Sequence, residues 1–266
     1  MKQTLIRLLP DRLFLLLKGY GWYGNFDSWE EAKKMTVGYE ADTILLKVKE
    51  SLLKVKNGEA VYERDSVIFD KTEYSWELLA MLMWVAAQNG GKLNLIDFGG
   101  SLGSTYFQNK KFLDMLNHVS WNIVEQPNYV KAGIESFQNE TLHFYSSISE
   151  CFSDSTQKID VILYSSVLQY LENPFEILKE AFGYGIKYIV VDRTGFTFNN
   201  KQRLTVQKVP SRIYDAAYPC RFFSEKDFLA CFEENRYELI ADFEALDKAN
   251  IPSKYKGFIF QLKEYA

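Results

Sequence analysis

The chain is poor in the residues that build metal sites and disulfides. Of its 266 residues only three are cysteine (Cys151, Cys220, Cys231) and two histidine (His118, His143). They lack metal-ligand spacing, and so do the acids, so no metal site and no histidine base are expected. A low, odd cysteine count fits a reducing compartment. Long apolar runs are missing too. Residues 13–17 are apolar but bracketed by Pro10, Asp11, Arg12 and Lys18, far short of the roughly 20 residues of a membrane span. They also lack a small-residue cleavage site. The expectation is a cytoplasmic protein with no transmembrane span; the short run is left as an amphipathic segment, docked on the protein or lying on a membrane surface. Excess positive charge is absent as well: 31 basic against 35 acidic residues give a net charge of −4. That balance does not suit a polyphosphate backbone, so nucleic acid is not an expected partner.

What is present is a globular balance, 47% apolar and 25% charged, in a length suited to one α/β domain plus a cap. Residues 1–75 read as an N-terminal helical cap. Ser28 with Glu31 makes a capping-box start, and Ile44, Leu45, Val48, Leu52 and Val55 carry helical spacing over residues 41–56. From residue 76 to 266 the pattern alternates. Strands are expected at 93–98, 121–125, 142–145, 159–164, 186–192, 237–243 and 257–263. Helices are expected at 76–88, 104–117, 127–137, 174–183 and 224–235. The last two strands are too close for a helical crossover and should pair antiparallel. The expected fold is α/β: a Rossmann-like, seven-stranded, mostly parallel sheet with an antiparallel last strand. Such sheets bind ligands at the carboxyl ends of their strands.

The first strand runs through Asp97 into Gly99, Gly100, Ser101 and Gly103, and a helix follows at once. Glycines let a ligand approach the backbone, and the helix start offers free N–H groups. Asp97 would repel a pyrophosphate but suits a ligand bearing an ammonium and a sulfonium; alternatively it caps the turn. The second strand ends at Glu125, followed by Gln126 and Pro127, about 20 residues beyond the last glycine. A carboxylate there accepts both hydroxyls of a ribose, or begins the next helix. Together the glycines and the two acids describe an adenosine-type ligand with a cationic tail.

These residues resemble class I S-adenosylmethionine (SAM)-dependent methyltransferases over about residues 90–265. Asp97, Gly99 and Gly103 match the family's acid-and-glycine loop; Ser101 stands where the middle glycine is usual. The chain also resembles a methyltransferase family found in bacterial surface-polysaccharide gene clusters. That likeness is carried by Trp22, Gly24, Phe26, Ser28, Trp29, Glu30 and Ala32, by Tyr62 to Ser66 with Phe69, and by the Asp97 loop. Glu125, Gln126 and Pro127 extend it, as do Ser165, Ser166, Gln169, Tyr170, Asp192, Arg193, Thr194, Tyr218 and Pro219. The resemblance implies SAM as cofactor, S-adenosylhomocysteine as product and a small-molecule acceptor, sugar-linked or phosphorylated, with O-methylation of a sugar as the default.

The loop after the fourth strand should then lie beside the methyl group, Ser165 and Ser166 touching the cofactor, Gln169 and Tyr170 facing the acceptor. Asp192 is a candidate base. Arg193 holds a phosphate or carboxylate of the acceptor, or forms an internal ion pair. Residues 195–223 are long enough for a lid and carry Arg203, Gln207, Arg212, Tyr214, Tyr218 and Arg221. Arg64 is expected to meet the methionine carboxylate, with Glu63 or Asp65 as an alternative base. Two other readings stay open: an NAD(P)-dependent sugar oxidoreductase, which fits Asp97 poorly, and a non-catalytic binding module.

Overall fold

The computed structural model describes residues 20–36, 41–155, 158–210, 213, 216–245 and 247–264. The apolar run at 13–17 and the lid residues Arg212 and Tyr214 lie outside them.

The N-terminal part begins with strand β1 (Gly21–Phe26), followed by helices α1 (Trp29–Lys34) and α2 (Ala41–Lys56) and the hairpin β2 (Tyr62–Arg64) and β3 (Val67–Phe69). The start of α1 follows its sequence signal: Ser28 Oγ accepts the amide of Glu31, while the Glu31 carboxylate accepts the amide of Asp27. Both expected helices of the cap are present, and three short strands join them. Gly21 and Gly24 both hold positive φ, which suits them to the irregular strand β1.

Then come α3 (Trp76–Gln88), β4 (Lys92–Phe98), α4 (Ser104–Leu113), β5 (His118–Val124), α5 (Pro127–Ser136), β6 (Leu142–Tyr145), α6 (Ile148–Asp154), β7 (Val161–Ser165), a 3-10 turn (Leu168–Tyr170), α7 (Pro174–Gly183) and β8 (Tyr188–Thr197). The chain closes with β9 (Arg203–Lys208), β10 (Ala217–Phe222), α8 (Glu225–Glu234), β11 (Tyr237–Glu244) and β12 (Ser253–Leu262). Seven strands form one sheet in the order β6-β5-β4-β7-β8-β12-β11. The five strands from β6 to β8 in that order are parallel, and β12 runs antiparallel to both β8 and β11. The expected architecture is therefore present.

Period-two burial divides the sheet between two cores. Leu95, Leu163 and Val190 face α2, α3, α4 and α5. Ile96, Ile162, Ile189 and Val191 face α6, α7 and α8. Strands buried on both faces read as continuous apolar runs, as these do. Phe232 and Phe260 stack at 3.7 Å in the second core.

Two departures from the expected elements bear on function. Strand β8 does not stop at Asp192. Its parallel partner β7 ends there, with Ser165 opposite Asp192, but β12 keeps pairing with β8 to Thr197. The register slips between Lys256 and Phe258, and Arg193 takes a left-handed φ of 51°. This is a β-bulge, a device that re-aims side chains beside functional sites. Second, the segment expected as a lid supplies β9 and β10, which pair with β1 in a three-stranded antiparallel sheet, order β1-β9-β10. Helix α1 packs on it through Ala32, against Leu204 and Val206.

Candidate functional site

A cavity of about 1220 Å³ lies at the carboxyl edge of the parallel strands, between the main sheet, the β2–β3 hairpin and the small sheet. That volume has room for a nucleoside-sized ligand together with a second small molecule.

One half is built by consecutive strand ends. Asp97, buried at the end of β4, accepts a hydrogen bond from Trp121 Nε1 at 3.1 Å. Its carboxylate lies beneath Gly100, where a Cβ would come within 2.5 Å of Asp97 Cγ; only glycine fits. The turn needs left-handed backbone at Gly99 (70°), Ser101 (55°) and Gly103 (106°). Ser101 thus adopts the conformation that glycine takes without strain. Glu125, one strand over, closes the turn: its two oxygens accept the amides of Ser101 (3.3 Å) and Gln126 (2.8 Å). Gln126 itself is exposed beside the cavity. Burial pushes Asp97 up to about 7, with the charge of Glu125 adding to the shift and the Trp121 hydrogen bond opposing it. Burial also raises Glu125, against its two backbone hydrogen bonds.

Glu63 stands over the same turn. It is 1% exposed, accepts the Ser104 hydroxyl and the Ser66 amide at 2.6 Å each, and is pushed by burial to about 7. Since Ser104 opens α4, this carboxylate pins the hairpin to a helix N-terminus, where negative charge is favoured. Arg64 lines the cavity, holding Glu73 at 3.4 Å and lying over the Phe69 ring. Ser165, Ser166 and Val167 complete this half, as do Ser146, Ser147 and Ile148 after β6. The last three were missed in the sequence; the rule that points to strand ends applied to β6 as well.

The other half is assembled from distant segments. Asp192 is 2% exposed. Its Oδ2 accepts the Ser165 hydroxyl at 3.4 Å, while its Oδ1 has no hydrogen-bond partner. Burial raises it to about 6, the nearby Arg193 charge restraining the shift. Arg193 is engaged: its Nε and Nη2 donate to the two oxygens of Asp247 at 2.9 and 3.0 Å, and Nη2 also reaches Asp65 at 3.4 Å. Of the two roles weighed for Arg193, the internal ion pair is the one observed. Tyr170 donates to Gln207 Oε1 at 2.8 Å and meets Tyr218 edge-on. Burial lifts its phenol well above the usual range. Gln169 is buried behind it, donating to the Arg193 carbonyl and the Ser166 hydroxyl.

The two described lid arginines, Arg203 and Arg221, are engaged with backbone carbonyls. Arg203 donates twice to the Gly24 carbonyl, at 3.0 and 2.7 Å, fastening β9 to β1. Arg221 donates to the Glu172 carbonyl, lies over Trp29 and is not among the cavity's walls. Both were spent on structure that their positions in the sequence did not reveal. Among the described residues no group of three or more His, Cys, Asp or Glu is placed to hold a metal, and no helix is long and apolar enough to cross a membrane.

No protein-family model matches the chain, and neither does any curated protein. Solved structures do. The N-terminal domain of EvdMO1, solved in the presence of S-adenosylhomocysteine and D-fucose, aligns with a TM-score of 0.50 at 11% identity, over 81% of this chain and 97% of that one. LepI in complex with SAM aligns with a TM-score of 0.50 at 12% identity, over 73% of this chain and 50% of LepI. The 1,6-didemethyltoxoflavin-N1-methyltransferase of Burkholderia thailandensis lies lower, with a TM-score of 0.47 at 12% identity over 86% of this chain and 92% of that one. At these identities the likeness concerns the fold: the chain has the Rossmann-like fold of SAM-binding proteins such as these, with its large cavity at the carboxyl edge of that sheet.

Proposed function

We propose that the protein is a SAM-dependent methyltransferase acting on a small-molecule acceptor. The observation that carries this reading is the pair Asp97 and Glu125, on adjacent parallel strands, lining one cavity beside a left-handed glycine turn. A buried carboxylate with a second, half-buried one nearby is costly unless a cation or hydrogen-bond donors compensate them. An adenosine derivative with an ammonium and a sulfonium supplies both. Glu125 takes the ribose hydroxyls. Asp97 and the turn at Gly99, Gly100, Ser101 and Gly103 take the methionine end. Gln126, Ser146 and Ser147 border the adenine, and Ser165 and Ser166 lie beneath the methionine chain. Arg64, loosely tied to Glu73, turns to the methionine carboxylate.

Bound SAM supplies a methyl group on a good leaving group, so the protein's task is alignment and proton removal. Alignment of the reacting atoms supplies up to roughly 7–11 kcal/mol, and a general base adds about 10²–10⁴-fold. Asp192, which lines the second half of the cavity, is the base. Tyr170 and Gln207 hold the acceptor in line, and Arg193 fixes the bulge that aims Asp192. Transfer of this kind needs no metal. The sequence resemblance supports a sugar or sugar-linked building block of a bacterial surface polysaccharide as acceptor, and a cytoplasmic setting.

The test is mass spectrometry of a polar extract from polysaccharide-producing bacteria incubated with the protein and SAM. A product heavier by one methylene unit, together with stoichiometric S-adenosylhomocysteine, is expected. S-adenosylhomocysteine binding without any methylated product would leave a non-catalytic binding module instead.

A further inference from the structure

The second half of the cavity has a charge that the cofactor does not explain. Asp65, Asp192 and Asp247 gather there around one guanidinium, that of Arg193. Both nitrogens of Arg193 that reach the carboxylates are committed to them. Among the described residues lining the cavity the only other basic ones are Lys33 and Arg64, and Arg64 pairs with Glu73 while its charge also acts on Asp247. Acids therefore outnumber bases around the cavity, which is a poor setting for a phosphate. The decisive group is Asp192. It is 2% exposed, it lines the cavity, and its Oδ1 accepts no hydrogen bond. A buried carboxylate oxygen without a donor is costly, and a charged donor from the ligand is its best complement. The wall beside it is aromatic, made by Tyr170, Tyr218 and Tyr255, and ring faces favour a cation as well.

Building on the methyltransferase reading, we infer that the acceptor presents an amino group to Asp192, and that the enzyme N-methylates an amine such as an amino sugar and rejects phosphorylated acceptors. The acceptor enters as an ammonium. The Asp192 carboxylate takes one proton. The freed lone pair forms the C–N bond as the C–S bond of the sulfonium breaks and its electron pair returns to sulfur. The products are a methylammonium and neutral S-adenosylhomocysteine, and Asp192 passes its proton to water. A hydroxyl would also satisfy Oδ1, but it would leave the surplus negative charge of the pocket unbalanced.

The experiment is calorimetric titration of the protein saturated with S-adenosylhomocysteine, using glucosamine, glucose and glucose 6-phosphate as matched probes. The amine is expected to bind about tenfold or more tightly than glucose, as one charge-assisted contact allows, and the phosphate more weakly than glucose. In Asp192→Asn that advantage of the amine should disappear while S-adenosylhomocysteine affinity is retained. Equal binding of the amine and the neutral sugar in the wild type, or tighter binding of the phosphate, overturns the inference. Failure to saturate with S-adenosylhomocysteine would strike the methyltransferase reading instead.

Discussion

The two halves of the cavity are built in different ways. The cofactor half comes from short, contiguous stretches: a strand end, a turn and a helix start, used at β4, β5, β6 and β7. The acceptor half comes from segments far apart in the chain. Arg193 meets Asp247 and Asp65 across 54 and 128 residues, and β1 pairs with β9 between residues 21–26 and 204–208. On the proposed reading the first half holds the cofactor and the second the acceptor. Substitutions in one half should therefore leave the other intact.

The largest separation is expected from Asp192→Asn. It should lower kcat by about 10²–10⁴-fold, the usual contribution of a positioned base, with S-adenosylhomocysteine affinity unchanged; loss of both together would mean that the halves are coupled. Glu125→Ala should do the reverse. Cofactor binding should weaken by about 1.5–3 kcal/mol, roughly 10–150-fold, as read by calorimetry. The melting temperature should move little, because Glu125 is tied to two backbone amides at the cavity wall and to no core residue.

Proton uptake sharpens the contrast next. Asp97 and Glu63 are pushed to about 7 in the folded protein, above their unfolded values. Such groups bind more protons folded than unfolded. Their contribution to stability is full below the unfolded value and is lost as pH rises through the folded one. The ligand-free protein should thus lose melting temperature between about pH 5 and pH 8. Over the same window S-adenosylhomocysteine, with its ammonium, should bind more tightly as Asp97 ionises. A flat affinity profile would remove Asp97 from the ammonium's neighbourhood. The smallest effect belongs to Arg203→Ala. Losing the bonds to Gly24 costs about 1 kcal/mol and should raise the acceptor KM, with cofactor affinity unmoved.

Legibility in the sequence follows the same division. The seven strands, their antiparallel end and the Asp97 and Glu125 positions were readable because each is encoded within about ten neighbouring residues, by period, glycine placement and strand-end acids. The end of β8 was misplaced because its last residues are held by β12, some 60 residues on in the chain, and no local signal marks that pairing. The small sheet was missed for the same reason: β1 reads as a glycine-rich loop until β9 is laid beside it. Arg203 and Arg221 looked like free cations because only three dimensions show that backbone carbonyls occupy them.

The central claim is that Asp97 and Glu125 form a cradle for a cationic adenosine derivative. Titrating the wild-type protein with S-adenosylhomocysteine by calorimetry near pH 8, beside Asp97→Asn and Glu125→Ala, tests it most directly. One ligand should bind per chain, with both variants weaker by tenfold or more. Absence of binding heat in the wild type, or unchanged affinity in both variants, would contradict it.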